Sequence, residues 1–309
     1  MIRFYRFKSF NTGYFSALAS SILFGTMPIL SKNVVIENSL TISLVIAMVT
    51  MLIMIPFASK NTILNLNLLK LTRNNVILVI ILALLGTVLA PNIYFIGLRH
   101  SSASDAAILS NSEIIFTIIL ALIVFKEKLI RTNYVALILI SVGILIISTK
   151  LDFSNLLINI NEGNILIITS MLMWSFDNNI SKILIRKLNP IHIVQIKTTI
   201  GAIIIFLLIN ILNIEIKINN EYIFYTVTLG IISFGLPMLF LYNAIKNLGT
   251  ILSILILSTS PIFGVIYSVI FLNDKIHSYQ VVSILIMIIG ILVLYKYRDA
   301  NNVYQRKDE

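Results

Sequence analysis

An internal repeat constrains this chain more than any other feature of its sequence. Residues 92–149 align with residues 239–296 without a gap, at a constant offset of 147. Apolar matches carry little information in so hydrophobic a chain. The informative matches pair Arg99 with Lys246, the turn Lys126-Glu127-Lys128 with Asn273-Asp274-Lys275, and Gly143 with Gly290. The repeat predicts two copies of one structural unit, and it has to be recognised first because it governs the fold.

The composition indicates a membrane protein. Of the 309 residues, 58% are hydrophobic and only 12% are charged, whereas about a quarter of the residues of a soluble domain are charged. A soluble fold of this size could not bury so much apolar surface. The chain has no cysteine, which excludes a disulfide framework and thiolate metal sites.

The long apolar runs predict membrane-spanning helices. A helix needs about 20 largely apolar residues to cross the hydrocarbon core. The runs are continuously apolar and too long for barrel strands, which alternate over roughly ten residues. Ten spans are predicted, at 14–31, 40–58, 76–97, 104–125, 133–149, 163–184, 191–211, 223–244, 251–272 and 278–296.

The placement of basic residues predicts the orientation, because cytoplasmic loops are enriched in Lys and Arg. With the N-terminus in the cytoplasm, 17 of the 23 Lys and Arg lie in inner segments, five lie in outer segments, and Lys197 lies within a span. The net charge of +10 is therefore a topology signal and not a nucleic-acid patch. The expected location is the plasma (inner) membrane, with multiple passes and both termini cytoplasmic.

Five spans per copy is an odd number, so the second copy enters the membrane from the opposite side. Inverted repeats are a recurring architecture of secondary transporters, with the substrate site near the midplane between the halves. The predicted fold class is an all-α integral membrane protein of ten transmembrane helices in two inverted five-helix repeats. The predicted units are a cytoplasmic segment 1–13, the first repeat 14–149, an external linker 150–162, the second repeat 163–296 and a cytoplasmic tail 297–309.

Several short motifs stand at corresponding places in the two halves. They are an aromatic-small pair (Phe24-Gly25, Trp174-Ser175), Gly97-Leu98-Arg99-His100, Asn111-Ser112-Glu113, Ser258-Thr259-Ser260-Pro261-Ile262-Phe263, and an acidic turn followed by a glycine in the next helix. In these motifs, and over residues 14–296, the chain resembles the EamA-type transporters of the drug/metabolite transporter superfamily. Ile114 stands where the family often has Pro, so a kink in the fourth helix is not assured. The resemblance implies ten helices, a central cavity and movement of small metabolites, commonly amino-acid-like and often outward.

Three ionisable residues inside spans are candidates for function, because a charge at a helix centre costs about 2.5–3.5 kcal/mol on insertion scales. Glu113 is interpreted either as a contact for a substrate amine or a proton, or as a neutral acid bonded to a neighbouring helix. Asp177 and Lys197 lie at similar depth in adjacent helices and are interpreted as a buried pair, with a side chain that faces the cavity as the alternative for Asp177. The alternative for Lys197 is a side chain that extends to the inner surface.

Other polar and aromatic residues in the spans are weaker candidates. Trp174, the only tryptophan, is expected either to pack or to line the cavity. The alternative role for each polar candidate is to form a hydrogen bond between helices. The remaining cavity candidates are Asn92, Tyr94, Asn111, Asn178, Gln195, Tyr242, Asn243 and Ser258.

Prolines, small residues and histidines give three further predictions. Helices that contain proline are expected to bend, and the small residues Ala17, Ser21 and Gly25, spaced by four, predict one face of close helix contact. The three histidines are expected to be solvent-exposed surface residues. The prolines within spans are Pro28, Pro91, Pro237 and Pro261.

The predicted function is secondary transport, with export of small polar or amphipathic metabolites by alternating access. Two alternatives are a flippase or translocase component for a lipid-linked substrate, and a membrane scaffold without transport. The chain has no Walker A, HExxH, GxGxxG or Gly-x-Ser-x-Gly sequence, so an enzyme is not expected, nor is a cofactor or a metal. The expected partners are a small-molecule substrate and membrane lipid but no nucleic acid, and a homodimer is left open.

The topology can be tested with reporter fusions. Fusions at Lys70, Lys128 and the C-terminus should report a cytoplasmic location, and fusions at Lys150 and Lys217 an external one. The reason is the excess of Lys and Arg on one side. A cytoplasmic signal at Lys150 would contradict the five-plus-five count and the inverted repeat.

Overall fold

Every element in the described part of the chain is helical. The computed structural model describes residues 2–57, 72–124, 162–273 and 275–305, together with 134–135, 138–139, 141–143 and 146. Residues 83–89 and 229–235 are π-helical. The α-helices are α1 (Ile2–Phe24), α2 (Met27–Val34), α3 (Ser39–Met54), α4 (Arg73–Leu82), α5 (Ala90–Arg99), α6 (Ala103–Leu109), α7 (Ser112–Ile123), α8 (Glu162–Ile185), α9 (Pro190–Ile211), α10 (Asn220–Thr228), α11 (Leu236–Leu248), α12 (Thr250–Leu257), α13 (Ser260–Leu272) and α14 (Ser278–Gln305).

Six helical stretches of the described chain are long and apolar enough to cross a membrane, and they match six of the ten predicted spans. The outer surface is apolar as well, since Phe15, Ile123, Phe224 and Phe271 are each at least 70% exposed. The six stretches are Thr12–Val34, Arg73–Arg99, Ala103–Ile123, Pro190–Ile211, Asn220–Leu248 and Leu252–Leu272.

The other four predicted spans do not correspond to described stretches that are both long and apolar enough to cross a membrane. Helix α3 and Ser278–Gly290 are apolar but shorter. Helix α8 runs for 24 residues, but the polar run Asp177-Asn178-Asn179 lowers its apolar character. The predicted span 133–149 lies largely outside the described residues. Ten spans in an inverted arrangement therefore remain a prediction.

The four prolines interrupt the spans, as predicted. Each is the second residue of its helix: Pro28 and Pro261 follow short breaks, and Pro91 and Pro237 follow the two π-helical segments. Proline lacks the N–H that an α-helix needs and clashes with the preceding turn. The interruptions in the third helix of each predicted repeat therefore take the same form, a π-helical segment followed by proline.

The fourth span breaks at Ser110–Asn111 although Ile114 replaces the proline. Around the break, the amides of Asn111, Glu113 and Ile114 each bond to the carbonyl three residues earlier, at 3.0–3.2 Å. The Ser110 hydroxyl donates to the carbonyl of Ala106 at 2.8 Å. Such hydroxyl bonds to the preceding turn bend helices, so the kink that the sequence left open is supplied by serine.

The small-residue face of α1 makes close helix contact, as predicted. A Cβ atom on Gly25 would lie 2.8 Å from Cβ of Phe263. One turn earlier, the hydroxyls of Ser21 and Thr259 are 2.6 Å apart. Helix α1 therefore packs directly on the break between α12 and α13.

Two facing glycines set the crossing of α5 and α8. A Cβ atom on Gly97 would lie 2.7 Å from the carbonyl oxygen of Gly163, and one on Gly163 would lie 2.5 Å from the carbonyl oxygen of Gly97. Only hydrogen atoms fit between the two backbones. This close approach places α8, which carries Trp174 and Asp177, against the third and fourth helices of the first predicted repeat.

The prediction for one histidine is wrong. His100 and His277 are exposed, but His192 in the first turn of α9 is only 6% exposed. Neither of its ring nitrogens has a hydrogen-bond partner in the described part of the chain. The N-cap Asn189 is exposed, but Pro190 and His192 in the first turn of α9 are buried, so the position near a helix end did not imply contact with water.

The glycine crossing makes Gly97→Ala destabilising. The added methyl group would press on the backbone of α8, and overpacking of this kind costs about 1–3 kcal/mol. The melting temperature in detergent should therefore fall. The matched control is Ile96→Ala on the adjacent, 40% exposed position, which should change the melting temperature little. Equal effects of the two substitutions would contradict the close approach.

Candidate functional site

A small cavity lies between helices of the two predicted repeats. It has a volume of ≈ 20 Å³, room for about one water molecule. Helix α3 and the π-helical segment 83–89 contribute from the first repeat, and α9, the segment 229–235 and α11 contribute from the second. The lining residues are Ser43, Ile46, Ala47, Thr50, Gly86, Thr87, Pro91, Thr198, Phe234 and Met238.

The cavity has hydroxyl-bearing walls without charge. The Thr50 hydroxyl donates to the carbonyl of Gly230 at 3.0 Å, and the Thr198 hydroxyl donates to the carbonyl of Val194 at 2.8 Å. The hydroxyls of Ser43 and Thr87 are buried and have no partner in the described chain. None of the ten described residues that line the cavity is ionisable.

The predicted ion pair is present beside the cavity and includes a third residue. Nζ of Lys197 lies 2.9 and 2.7 Å from the two carboxylate oxygens of Asp177. The Tyr242 hydroxyl accepts from Lys197 Nζ and donates to Asp177 Oδ2, both at 2.7 Å. Lys197 is 0% exposed, so its side chain does not extend to the surface. The three residues tie α8, α9 and α11 together.

Gly86 touches both the cavity and the ion pair. A Cβ atom at this position would lie 2.6 Å from Cγ of Asp177, so a larger residue would displace the carboxylate. The carbonyl of Gly86 accepts a hydrogen bond from Nε1 of Trp174 at 3.1 Å. Glycine in the π-helical segment therefore lets the first repeat approach the charged centre of the second.

Glu113 belongs to the same buried polar region. It lies in the first turn of α7, just after the break, and is 4% exposed. Its Oε1 accepts from Nδ2 of Asn178 at 2.6 Å, and Asn178 directly follows Asp177. The carboxyl of the first repeat is thus bonded to the residue that directly follows the acidic member of the ion pair in the second.

Trp174 packs among aromatic rings, which agrees with the packing interpretation. Its ring centroid lies 5.8 Å from Tyr94, 6.1 Å from Phe234 and 6.4 Å from Phe24. Phe234 lines the cavity on its other side. The Tyr94 hydroxyl is fully buried and has no partner in the described chain. Trp174 therefore contacts the cavity wall without being part of it.

The other predicted candidates are not brought together at the cavity. Asn92 donates to the carbonyl of Val88 at 2.6 Å, Asn111 donates to Sδ of Met287 at 2.8 Å, and Asn243 donates to Oγ of Ser16 at 2.9 Å. Ser258 bonds to the carbonyl of Leu255, and Gln195 is half-buried on α9. These hydrogen bonds are contacts within or between helices, and none of these residues lines the cavity.

Sequence reasoning did not select Ser43, Thr50 or Thr87 as cavity residues. Single serines and threonines are common in membrane helices, where they bond to their own backbone or to a neighbouring helix. No signal in the sequence separates them from the rest. As for metals, no group of three His, Cys, Asp or Glu in the described residues could hold an ion.

The sequence profile of the EamA-like transporter family matches this chain twice, at residues 11–149 and 161–296. The chain belongs to this family. It is therefore an integral membrane protein of a transporter family, and each match contains one copy of the internal repeat.

Relatives of the chain carry the same general description. A protein of Methanothermobacter thermautotrophicus is 30% identical over 73% of this chain and 66% of its own length. YyaM of Bacillus subtilis is 21% identical over 71% of this chain and 73% of its own length, and a Clostridium kluyveri protein is 22% identical over 92% and 93%. All three are called uncharacterized transporters.

A solved crystal structure has a similar fold. It superposes with a TM-score of 0.71 at 12% sequence identity and covers 97% of this chain and 99% of the other. At that identity the similarity concerns the fold alone. The helical bundle described above is therefore a fold already observed in a crystal structure.

The buried pair predicts a compensating double substitution. Removing one partner of a buried ion pair costs on the order of 3–5 kcal/mol, whereas replacing both can be mild. Asp177→Asn and Lys197→Met should each lower the folded yield in detergent, and the double variant should recover part of it. Lys217→Met, at an exposed position, is the control and should keep the full yield. Strictly additive losses would show that the two charges do not compensate each other.

Proposed function

We propose that this EamA-family protein is a secondary transporter that exports small polar or amphipathic metabolites across the plasma membrane by alternating access. The observation that carries the proposal is the cavity, because elements of both family-matched halves form its walls. A substrate that widened this cavity would contact both halves, so a rocking movement between them would expose it to one side at a time. Membrane transporters with inverted repeats bind substrate at this kind of interface.

The backbone around the cavity supports a movement of this kind. Both π-helical segments lie at the cavity, through Gly86 and Thr87 in one half and Phe234 in the other. Non-α-helical backbone inside a membrane occurs where protein or a cavity satisfies it, and π-helical segments are frequent at functional sites. We assign them the role of hinges.

Three of the hydrogen bonds that cross between the halves lie close to the cavity, and the movement would exchange them. Trp174 bonds to the carbonyl of Gly86, Thr50 bonds to the carbonyl of Gly230, and Asn178 bonds to Glu113. The ion pair, by contrast, lies entirely within α8, α9 and α11 of the second half. The second half would therefore move as one body that keeps its charges paired.

A group of hydrogen bonds at one end of the bundle supports the proposal of a gate there. Nζ of Lys32 donates to the carbonyls of Leu98 and Ser101 at 2.9 and 2.6 Å. Arg99 donates to the carbonyl of Glu37 at 2.7 Å, and the Glu37 carboxylate accepts from the amide of Asn219 at 3.2 Å. These bonds join the α2–α3 connection to α5 and to the second half. On the predicted topology this end is external.

Glu113 is the residue to which we assign proton coupling. It lies outside the cavity wall, so a proton is a better partner for it than a bulky substrate amine. Its bond to Asn178 crosses between the halves, and the strength of that bond depends on whether the carboxyl is ionised, since hydrogen bonds to charged groups are roughly twice as strong. Protonation would therefore bias the movement between the halves.

A metabolite-export screen tests the proposed function directly. Cells that lack the protein and cells that overproduce it should differ in the extracellular level of at least one small polar or amphipathic compound. Cells that overproduce the Asp177→Asn/Lys197→Met variant serve as a control for expression load. Identical metabolite profiles in all of these cells would contradict export by this protein.

Glu113→Gln should impair transport without unfolding the protein. The amide keeps the shape and the bond to Asn178 but cannot ionise. We expect normal yield in detergent, transport of the compound found in the screen reduced on the order of tenfold, about 1.4 kcal/mol, and a flattened dependence of transport on pH. The matched control Glu162→Gln, at the exposed start of α8, should leave the transport rate and its dependence on pH unchanged. Normal transport with an unchanged pH profile would contradict the role of Glu113.

A further inference from the structure

We infer that the substrate group that enters the cavity is uncharged and forms hydrogen bonds. The inference rests on the proposed function and narrows its substrate class. It also departs from the amino-acid-like compounds that the family resemblance implies, because a zwitterion carries two full charges.

The wall offers no counter-charge. The ten described lining residues contain four hydroxyls and no ionisable side chain. The main apolar surfaces come from Ile46, Phe234 and Met238. A charged ligand would lose its hydration on entering and would gain no opposite charge, which is strongly unfavourable in an apolar site.

The nearest described charges are already neutralised by each other. Thr198 follows Lys197 in the chain, and Gly86 contacts the carboxylate of Asp177. Yet the ammonium of Lys197 makes all three of its hydrogen bonds inside the cluster, two to Asp177 and one to Tyr242. A ligand in the cavity therefore meets a closed ion pair with no unpaired charge to recruit. Glu113 is likewise bonded to Asn178 and does not line the cavity.

Two hydroxyls of the wall are left without partners. The protons of Thr50 and Thr198 are donated to backbone carbonyls. Ser43 is 1% and Thr87 is 7% exposed, and neither hydroxyl has a partner in the described chain. A buried hydroxyl without a partner is unfavourable. A ligand that widens the cavity and offers both a donor and an acceptor, such as a hydroxyl or a primary amide, would satisfy them.

The combined features define the ligand class. A compact neutral hydroxyl or amide would bond to Ser43 and Thr87, and a short apolar portion would pack against Phe234 and Met238. This pairing of an apolar wall with a few placed polar groups is typical of small-molecule sites. Selectivity would come from the charge of the ligand and less from its shape.

A series of compounds that share one isobutyl group separates charge from shape. The neutral members are 4-methylpentanamide and 4-methylpentane-1,2-diol. The charged members are 4-methylpentanoate, 3-methylbutylammonium and the zwitterion leucine. Trp174 is the only tryptophan of the chain, and its ring lies 6.1 Å from that of the cavity residue Phe234, so its fluorescence reports on the cavity of the purified full-length protein.

We expect the two neutral compounds to change the fluorescence of Trp174 in a saturable way, and the three charged compounds to give no saturable change. Ser43→Ala and Thr87→Val should each weaken the apparent affinity for the amide by about two- to tenfold, the range for a lost hydrogen bond. The control Thr228→Val removes a hydroxyl that bonds within α10, and it should bind the amide like the unchanged protein.

Saturable binding of leucine or of another charged member, with an affinity equal to that of the neutral compounds, would overturn the inference. Binding of no member would overturn it too. The proposed transport function is judged separately, by the difference between the extracellular metabolites of the two cell strains. A charged metabolite exported there would remove the inference and keep the transporter.

Discussion

The buried ion pair between Asp177 and Lys197 is the interaction on which the rest of the structure depends. Lys197 has no exposed surface, and an uncompensated ammonium at that depth of an apolar bundle would be strongly unfavourable. Two carboxylate oxygens and the Tyr242 hydroxyl provide the compensation. The pair thereby fixes the relative depth of α8, α9 and α11, and it requires glycine at position 86, where the first half approaches.

Much of the fold followed from local chemistry that can be read in the sequence. Pro28, Pro91, Pro237 and Pro261 marked interruptions because proline cannot continue an α-helix. The Asp177–Lys197 pair followed from similar depth in adjacent helices. The break before α7 could not be predicted with the proline absent, because it depends on serine hydroxyls that choose between their own backbone and other partners. The participation of Tyr242 depends on how α8 and α11 pack, which no local pattern encodes.

The cavity wall was the part of the site that sequence reasoning did not find. Candidates were chosen for strong polarity, and strongly polar groups inside a membrane satisfy each other first. For that reason Asp177 is bonded to Lys197, and Glu113 is bonded to Asn178. What remains for the cavity is the weaker polarity of single hydroxyls such as Thr87. The prediction that His192 is exposed failed for a related reason, since a position near a helix end does not reveal whether the side chain is buried.

The two kinds of polar contact divide the molecule into parts that stay together and parts that can separate. The ion pair is confined to the second half, and breaking it would cost several kcal/mol. In the described residues, many contacts across the halves are single hydrogen bonds. Near the cavity they run from Thr50 to Gly230, Trp174 to Gly86 and Asn178 to Glu113, each worth about 1 kcal/mol net or somewhat more at Glu113. Two of these three acceptors are carbonyls of the π-helical segments, so hydrogen bonds that the movement can exchange lie at the proposed hinges. A movement between the halves would exchange such single bonds without separating a buried charge pair, and a ligand or a proton would shift the balance only by its differential affinity for the two states.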